Sequence, residues 1–280
     1  MQSVFGKYRS PSIWWPEDKR EHLLNAAAGS YGITGAAATF LKALFVPTDI
    51  DGCKLWLRSD LGVTKDAVVD TVSKWADQSL SGNDAVQSIE GNKPLWVDNQ
   101  LVTHPAIRFN GTSSYMLADG VISSFPLSTT PWSFFLVLKR NRNTDERVLT
   151  SSVTSVNRPI YQYAVWDGNC AVRYNSGAVG ISQTFADTGT AYHYYVGVFG
   201  GSTVNVSKDG TVQLDDASFA PGAFDAPLEN FRIGVLEYSS PGNFAGLAGV
   251  DLVEVAFYAA NISIANRAKL ISYAQTRYGL

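Results

Sequence analysis

Residues 192–213, YHYYVGVFGGSTVNVSKDGTVQ, decide the fold. From Tyr192 to Phe199 the run is rich in aromatic and β-branched residues. A Gly200-Gly201 break follows, and valines then alternate with polar residues on both sides of Asp209-Gly210. Val204 and Val206 fall on one face of a strand, and Val212 and Leu214 answer from the returning strand. Asp209-Gly210 supplies the positive φ angles of a primed hairpin turn. A hydrophobic period of two, closed by such a turn, predicts antiparallel β structure.

Outward from that hairpin the pattern repeats. KLWLRS (54–59) and AIRFNG (106–111) alternate, while WSFFLVLK (132–139) is apolar on both faces, as a central strand covered on each side must be. PIYQYAVW (159–166) and CAVRYN (170–175) flank Asp167-Gly168-Asn169, a short hairpin signal. VDLVEVAFYAA (250–260) is a last strand before the domain's one convincing helix. That helix has Ser263 as N-cap, Gly279 as its stop, and Ile264, Ala268, Ile271, Ala274 and Tyr278 as its apolar stripe. With 12% aromatic residues and 24 glycines in 280 positions, the chain reads as an all-β protein of many short strands. Antiparallel strands closed by one helix predict a two-sheet sandwich or jelly roll, and the lack of a fixed period argues against a propeller or solenoid.

A net charge of -3 with 17% charged residues gives no basis for capturing nucleic acid or anionic lipid. The most apolar stretch, 26–47, contains three glycines, Lys42 and Pro47, short of the roughly 20 clean apolar residues of a membrane span. MQSVFGKYRSPSIWWPEDKR (1–20) lacks the apolar run of a secretory signal. Cys53 and Cys170 read as two reduced thiols.

Residues 1–52 read as a partly helical N-terminal anchoring arm, and residues 53–280 as the sandwich. Pro16-Glu17-Asp18 offers a helix start and Gly29 a stop. A helix over GAAATFLKALF (35–45) would be apolar nearly all round and must be covered, by the chain's own domain or by a neighbouring subunit or assembly. A short helix after Gly and Ser has little local core to join, which favours the second. Trp14, Trp15, Phe40, Leu41, Leu44 and Phe45 are the candidate docking residues.

VSKWADQSLSGNDAVQ (72–87), NKPLWV (92–97), PAIRFNGTSSYML (105–117), YHYYVGVFGGSTVNVSKDGTV (192–212) and LVEVAFYAANISIANRAKLISYAQTRYG (252–279) occur in the order found in laminin-G-like, concanavalin A-like domains. Over 53–280 the chain resembles above all the variety found in bacteriophage structural proteins and bacterial surface proteins. The resemblance implies a jelly roll that binds glycans or proteins, in some members with a calcium ion. Together with the missing secretory signal it points to a virion protein, assembled in the host cytoplasm and displayed on capsid or tail, and the lack of a carboxylate cluster makes that protein non-enzymatic. Such a protein would hold other virion proteins through its arm, form a homo-oligomer such as a trimer, and meet a host-surface glycan. Related folds include glycoside hydrolases, so a glycan hydrolase or lyase is the alternative.

The residues weigh against catalysis. Asp251 and Glu254 are the tempting acids, but positions three apart on a strand face opposite ways unless a bulge intervenes, whereas a glycosidase needs two carboxylates about 5 to 10 Å apart in one cleft. The histidines are His22, His104 and His193, and His193 reads as a satisfied structural residue of a core strand. No G-x-S-x-G elbow, P-loop or dinucleotide fingerprint is present. Asp77, Ser79 and Ser81 before Gly82 imitate an EF-hand opening, but Ser88 stands where its bidentate glutamate belongs. Asp77, Asn83 and Asp84 remain candidate calcium ligands in another geometry, against the plainer reading of an Asx-stabilised loop. For a glycan, Trp166, Asp167, Asn169 and Tyr174 gather an aromatic platform and polar groups at one hairpin, and Trp96 is a further platform.

Overall fold

The structure, a computed structural model, describes residues 45–124, 131–142, 146–153, 158–166, 169–176, 179–187, 189–200, 202–218, 230–238 and 243–280. Of the docking residues expected in the arm, Trp14, Trp15, Phe40, Leu41 and Leu44 lie outside these, and Phe45 is half-buried. Residues Val46–Leu280 form one compact unit. Pro47 belongs to it, since Pro47 is buried and its carbonyl accepts a hydrogen bond from the Tyr258 hydroxyl at 3.1 Å.

The strands run in chain order as β1 (Cys53–Arg58), β2 (Val63–Lys65), β3 (Val72–Trp75), β4 (Ala85–Val86), β5 (Leu95–Leu101), β6 (His104–Arg108) and β7 (Met116–Leu117). After them come β8 (Trp132–Arg140), β9 (Glu146–Val153), β10 (Arg158–Trp166), β11 (Asn169–Ser176), β12 (Val179–Ala186) and β13 (Tyr192–Phe199). The chain closes with β14 (Thr203–Lys208), β15 (Thr211–Ser218), β16 (Asn230–Ile233), β17 (Leu236–Tyr238), β18 (Asn243–Ala245), β19 (Val250–Tyr258) and the helix α1 (Ile264–Tyr278). One sheet has the order β15-β14-β13-β8-β19-β6-β5, with β1 also on β19; the other has the order β12-β11-β10-β9-β16-β7-β4-β3-β2. Neighbouring strands pair antiparallel, and β17 and β18 form a separate hairpin. The chain is the two-sheet antiparallel sandwich that its sequence predicts.

β8 is central, between β13 and β19, and is buried from Trp132 to Leu138. Its inward residues Trp132, Phe134, Leu136 and Leu138 meet Leu149, Val172 and Phe231 of the facing sheet in a single core. Trp132 stacks on Phe199 with centroids 3.7 Å apart. Gly197 lies opposite Phe134, and any Cβ at 197 would overlap the Phe134 ring, so the missing side chain makes room for the aromatic one.

The hairpin that opened the reading forms as expected, with φ of 49° at Asp209 and 76° at Gly210. Its pairing differs in one respect. Bulges place Leu214 opposite Val206 but Val212 opposite Ser207, and Val212 is 62% exposed instead of answering the buried valines.

Helix α1 starts and stops where predicted. Ser263 Oγ accepts from the Asn266 amide and Gly279 adopts φ 67°. The buried stripe is Leu270, Ala274 and Tyr278: the sequence reading holds for Ala274 and Tyr278 with Ile271 half-buried, but Ile264 and Ala268 are exposed and Leu270 takes the inward place.

Candidate functional site

The outer face of the sheet containing β19 carries two fully buried acids, Asp251 and Glu254. Val250, Leu252, Val255 and Phe257 of β19 enter the core, so the pleat slips by one residue between Leu252 and Val255. The cause is a bulge, visible as a register shift against β8 between Leu252 and Glu254. Asp251 and Glu254 therefore share the outer face. This corrects the expectation that strand parity keeps them apart.

Neither acid is available. Arg108 Nε and Nη2 donate to the two Asp251 oxygens, each at 2.7 Å. Asn141 Nδ2 donates to Asp251 at 2.8 Å, the Tyr192 hydroxyl at 3.4 Å, and Lys139 Nζ stands 3.9 Å away. Glu254 accepts from Trp56 Nε1 at 2.5 Å, from the Tyr273 hydroxyl at 3.0 Å and from the Tyr278 hydroxyl. Both carboxylates are wholly buried. Burial pushes the Glu254 carboxyl above the usual range, against the opposing pull of Tyr278 and Trp56. Glu254 thus fastens α1 to β1 and β19, and Asp251 orients the side chains around it.

Around Asp251 the register builds a row. Tyr192 of β13 pairs with Lys139 of β8, Lys139 with Asp251 of β19, and Asp251 with Arg108 of β6. Four neighbouring strands thus carry one polar rung, about 14 Å long at the usual strand spacing. Arg108 is 36% and Lys139 30% exposed in their side chains, Tyr192 is half-buried, and Asn141 is exposed at its edge. Gln100 extends the rung by accepting from Arg108 Nη2 at 3.0 Å. Burial and the Asp251 charge push the Tyr192 hydroxyl up, so it stays a neutral donor. The rung offers rigid amide, guanidinium and hydroxyl groups beside an aromatic ring, a composition suited to hydroxyl-rich or acidic ligands. Apart from Asp251, these residues escaped the sequence reading. They lie on four strands far apart in sequence, and only the register unites them.

Two further carboxylates are also held. Asp187, at the end of β12, accepts from Tyr195 at 2.5 Å, from Lys208 at 2.8 Å and from Cys170 at 3.2 Å, with Arg140 Nη2 at 3.4 Å. Burial alone would raise this group, but Lys208, Tyr195 and the Arg140 charge outweigh it and hold the carboxyl at about 2. Glu237 accepts from Arg232 Nε at 2.7 Å.

His193 Nδ1 lies 2.6 Å from Asp209, while its Nε2 is buried with no hydrogen-bond partner among the described residues. His104 packs edge-on against Tyr278.

The candidate calcium ligands lie together in the loop after β3. Asp77 accepts from the amides of Trp56, Ser79 and Asn83 and from the Ser79 hydroxyl, at 2.8 to 2.9 Å. Asp84 accepts from the Asp77 amide at 2.9 Å and pairs with Lys74, while Asn83 Nδ2 donates to the Lys54 carbonyl at 2.6 Å. These contacts tie the loop to β1, with both Asp77 oxygens engaged by donors.

At the proposed glycan hairpin, Trp166 of β10 stands directly across from Asn169 of β11. Asp167 lies outside the described residues. Tyr174 is opposite Tyr161, five residues and about 17 Å along β11 from Asn169, so the strand separates it from the other two. Trp96 donates to the Ser59 carbonyl at 3.0 Å, and Lys65 Nζ lies 3.9 Å from its ring centroid, covering one face.

No protein-family model and no curated protein matches the chain. Among solved structures it is similar to the receptor binding domain of botulinum neurotoxin C/D mosaic serotype, at 13% identity and a TM-score of 0.53 over 80% of this chain and 51% of that one. It is also similar to a structure of botulinum neurotoxin type C, whose cell entry depends on interaction with two ganglioside molecules, at 10% identity and a TM-score of 0.55 over 81% and 52%. A third is Trypanosoma rangeli sialidase in complex with the inhibitor DANA, at 13% identity and a TM-score of 0.57 over 94% and 38%. The chain spans about half the length of the toxin chains and 38% of the sialidase, and at these identities the likeness is one of fold.

Proposed function

We propose that the chain is a non-enzymatic bacteriophage virion protein, fastened as a homo-oligomer to other virion proteins by its N-terminal arm and displaying the sandwich for capsid decoration or for attachment to a host-surface glycan. The observation that carries the non-enzymatic part is the state of Asp251 and Glu254. The bulge turns both to one face, yet each is wholly buried and committed to donors of the domain itself. A glycosidase acid must be reachable by the glycosidic oxygen. The fold shared with toxin binding domains supports attachment, and the five ordered motifs resembling phage laminin-G-like domains support the virion setting. Glycan hydrolysis has in its favour only a sialidase likeness that extends to the fold.

Glycan contact is assigned to the Tyr192-Lys139-Arg108 rung with Asn141, and at the β10–β11 hairpin to Trp166 and Asn169. Retention on immobilised host-surface polysaccharide tests both: Arg108→Ala with Tyr192→Ala should abolish retention if the rung carries it, Trp166→Ala if the hairpin does. Retention unchanged in both variants would overturn the assignment. For the arm, Phe40→Asp with Leu44→Asp places charges in an apolar contact and should abolish incorporation into particles. Normal incorporation of the double variant would refute the anchoring role.

A further inference from the structure

We infer that the rung around Asp251 takes a carboxylate-bearing sugar in preference to a neutral one, an inference that rests on the assignment of glycan contact to this rung. Two cations meet one acid here. Arg108 Nη2, Lys139 Nζ and the Tyr192 hydroxyl converge on the same oxygen, Asp251 Oδ2, at 2.7, 3.9 and 3.4 Å. Among the described residues Asp251 is the only acid paired with either cation, so one of the two positive charges stays uncompensated. The chain as a whole carries -3, so a polyanion gains nothing from the overall charge and has to be held by a local one.

What the rung presents to solvent is its donor side. Asp251 is wholly buried, with Arg108, Asn141 and Tyr192 on its oxygens, so it offers no acceptor to the hydroxyl of a neutral sugar. Lys139 Nζ stands beyond hydrogen-bond reach of Asp251, and its side chain is 30% exposed. Arg108 commits Nε and Nη2 to Asp251 and Gln100, which leaves Nη1 on a side chain that is 36% exposed. A ligand carboxylate set between Lys139 Nζ and Arg108 Nη1 gains charge-assisted bonds that a sugar hydroxyl cannot match. Asp251 already fixes the guanidinium from two sides, so little side-chain freedom is left to lose on binding. Trp166 and Asn169, the contacts assigned at the β10–β11 hairpin, are uncharged, so a preference for acidic sugar distinguishes the rung from the hairpin.

The test is retention of the full chain on immobilised bacterial capsular polysaccharides that contain uronic acids, each presented native and after carboxyl reduction to the neutral sugar. Retention should be about tenfold stronger on the native form, the factor expected of a charge-assisted contact. Lys139→Gln should remove most of that difference and Lys139→Arg should keep it. Lys269→Gln, which deletes the same charge from an exposed position of α1, should leave it intact. An unchanged circular dichroism spectrum checks the fold of each variant. Equal retention of native and reduced forms, still lost in Arg108→Ala with Tyr192→Ala, overturns the preference for acid and leaves glycan contact at the rung standing. A preference for the native form that survives Lys139→Gln, or that Lys269→Gln lowers as much, overturns the inference by placing the acid elsewhere or on diffuse charge. Retention of neither form overturns it together with the assignment of glycan contact.

Discussion

Replacing Glu254 by Ala tests the reading of this acid as a fastener. The side chain is wholly buried and accepts from Trp56, Tyr273 and Tyr278, of which Trp56 and Tyr278 are themselves buried. Truncation leaves two buried donors without a partner, at about 1 to 3 kcal/mol each, and opens a cavity. Relief from holding a desolvated carboxyl offsets part of that loss. The net cost should be about 3 kcal/mol, which for a domain of this size lowers Tm by about 6 to 12 °C. Differential scanning fluorimetry at pH 7 reads the shift. Glu254→Gln keeps the volume and one acceptor oxygen, and its amide nitrogen can donate to a tyrosine hydroxyl in exchange, so it should stay within about 1 kcal/mol of the parent. The two variants also differ in pH dependence. Because the folded carboxyl titrates above its unfolded value, the contribution of Glu254 is greatest below the usual carboxylate range and declines as pH rises through the folded value. Glu254→Gln should therefore gain on the parent between pH 4 and pH 7. A Tm change under 2 °C for Glu254→Ala, or a fixed gap between Gln and Glu across that range, would refute the reasoning.

Phe134→Ala removes a fully buried ring from the central strand and should cost about 3 to 5 kcal/mol in urea denaturation; under about 1 kcal/mol would mean that the ring does not anchor the core. Asp187 titrates below its unfolded value, so its contribution, up to about 2 kcal/mol, is present above pH 4 and lost as pH falls towards 2. An acid-unfolding profile of Asp187→Asn should lack that component, and a profile superposable on the parent would contradict the network drawn around it. Ser263→Ala removes the α1 cap and should cost about 1 kcal/mol, visible as earlier loss of helical signal; no change would place the cap bond outside the folded state's energetics.

The strands were legible because their information is local. A period of two, Asp209-Gly210 at the turn and Ser263 and Gly279 at the helix ends each act within a few residues. Bulges are not written that way. The slip at Val253 turned Glu254 to the face of Asp251, and the slips between β14 and β15 sent Val212 to solvent, and both arise from pairing with a distant strand. The same limit hid the polar rung. Tyr192 and Arg108 are separated by two strands and more than eighty residues of chain, and nothing near either names the other. Helix α1 was placed well and its C-terminal stripe of Ala274 and Tyr278 was read correctly, but Ile264 and Ala268 satisfy the helical period without being covered, and the contact made by Leu270 depends on the sheet beneath.

The central claim is that the sandwich binds glycan and does not cut it. It is tested most directly by incubating the purified protein with a panel of host-surface polysaccharides and measuring, in one experiment, retained glycan and released reducing ends. The account predicts retention without new reducing ends, with retention lost in Arg108→Ala, Tyr192→Ala or in Trp166→Ala. Release of reducing ends that disappears in Glu254→Gln would contradict it.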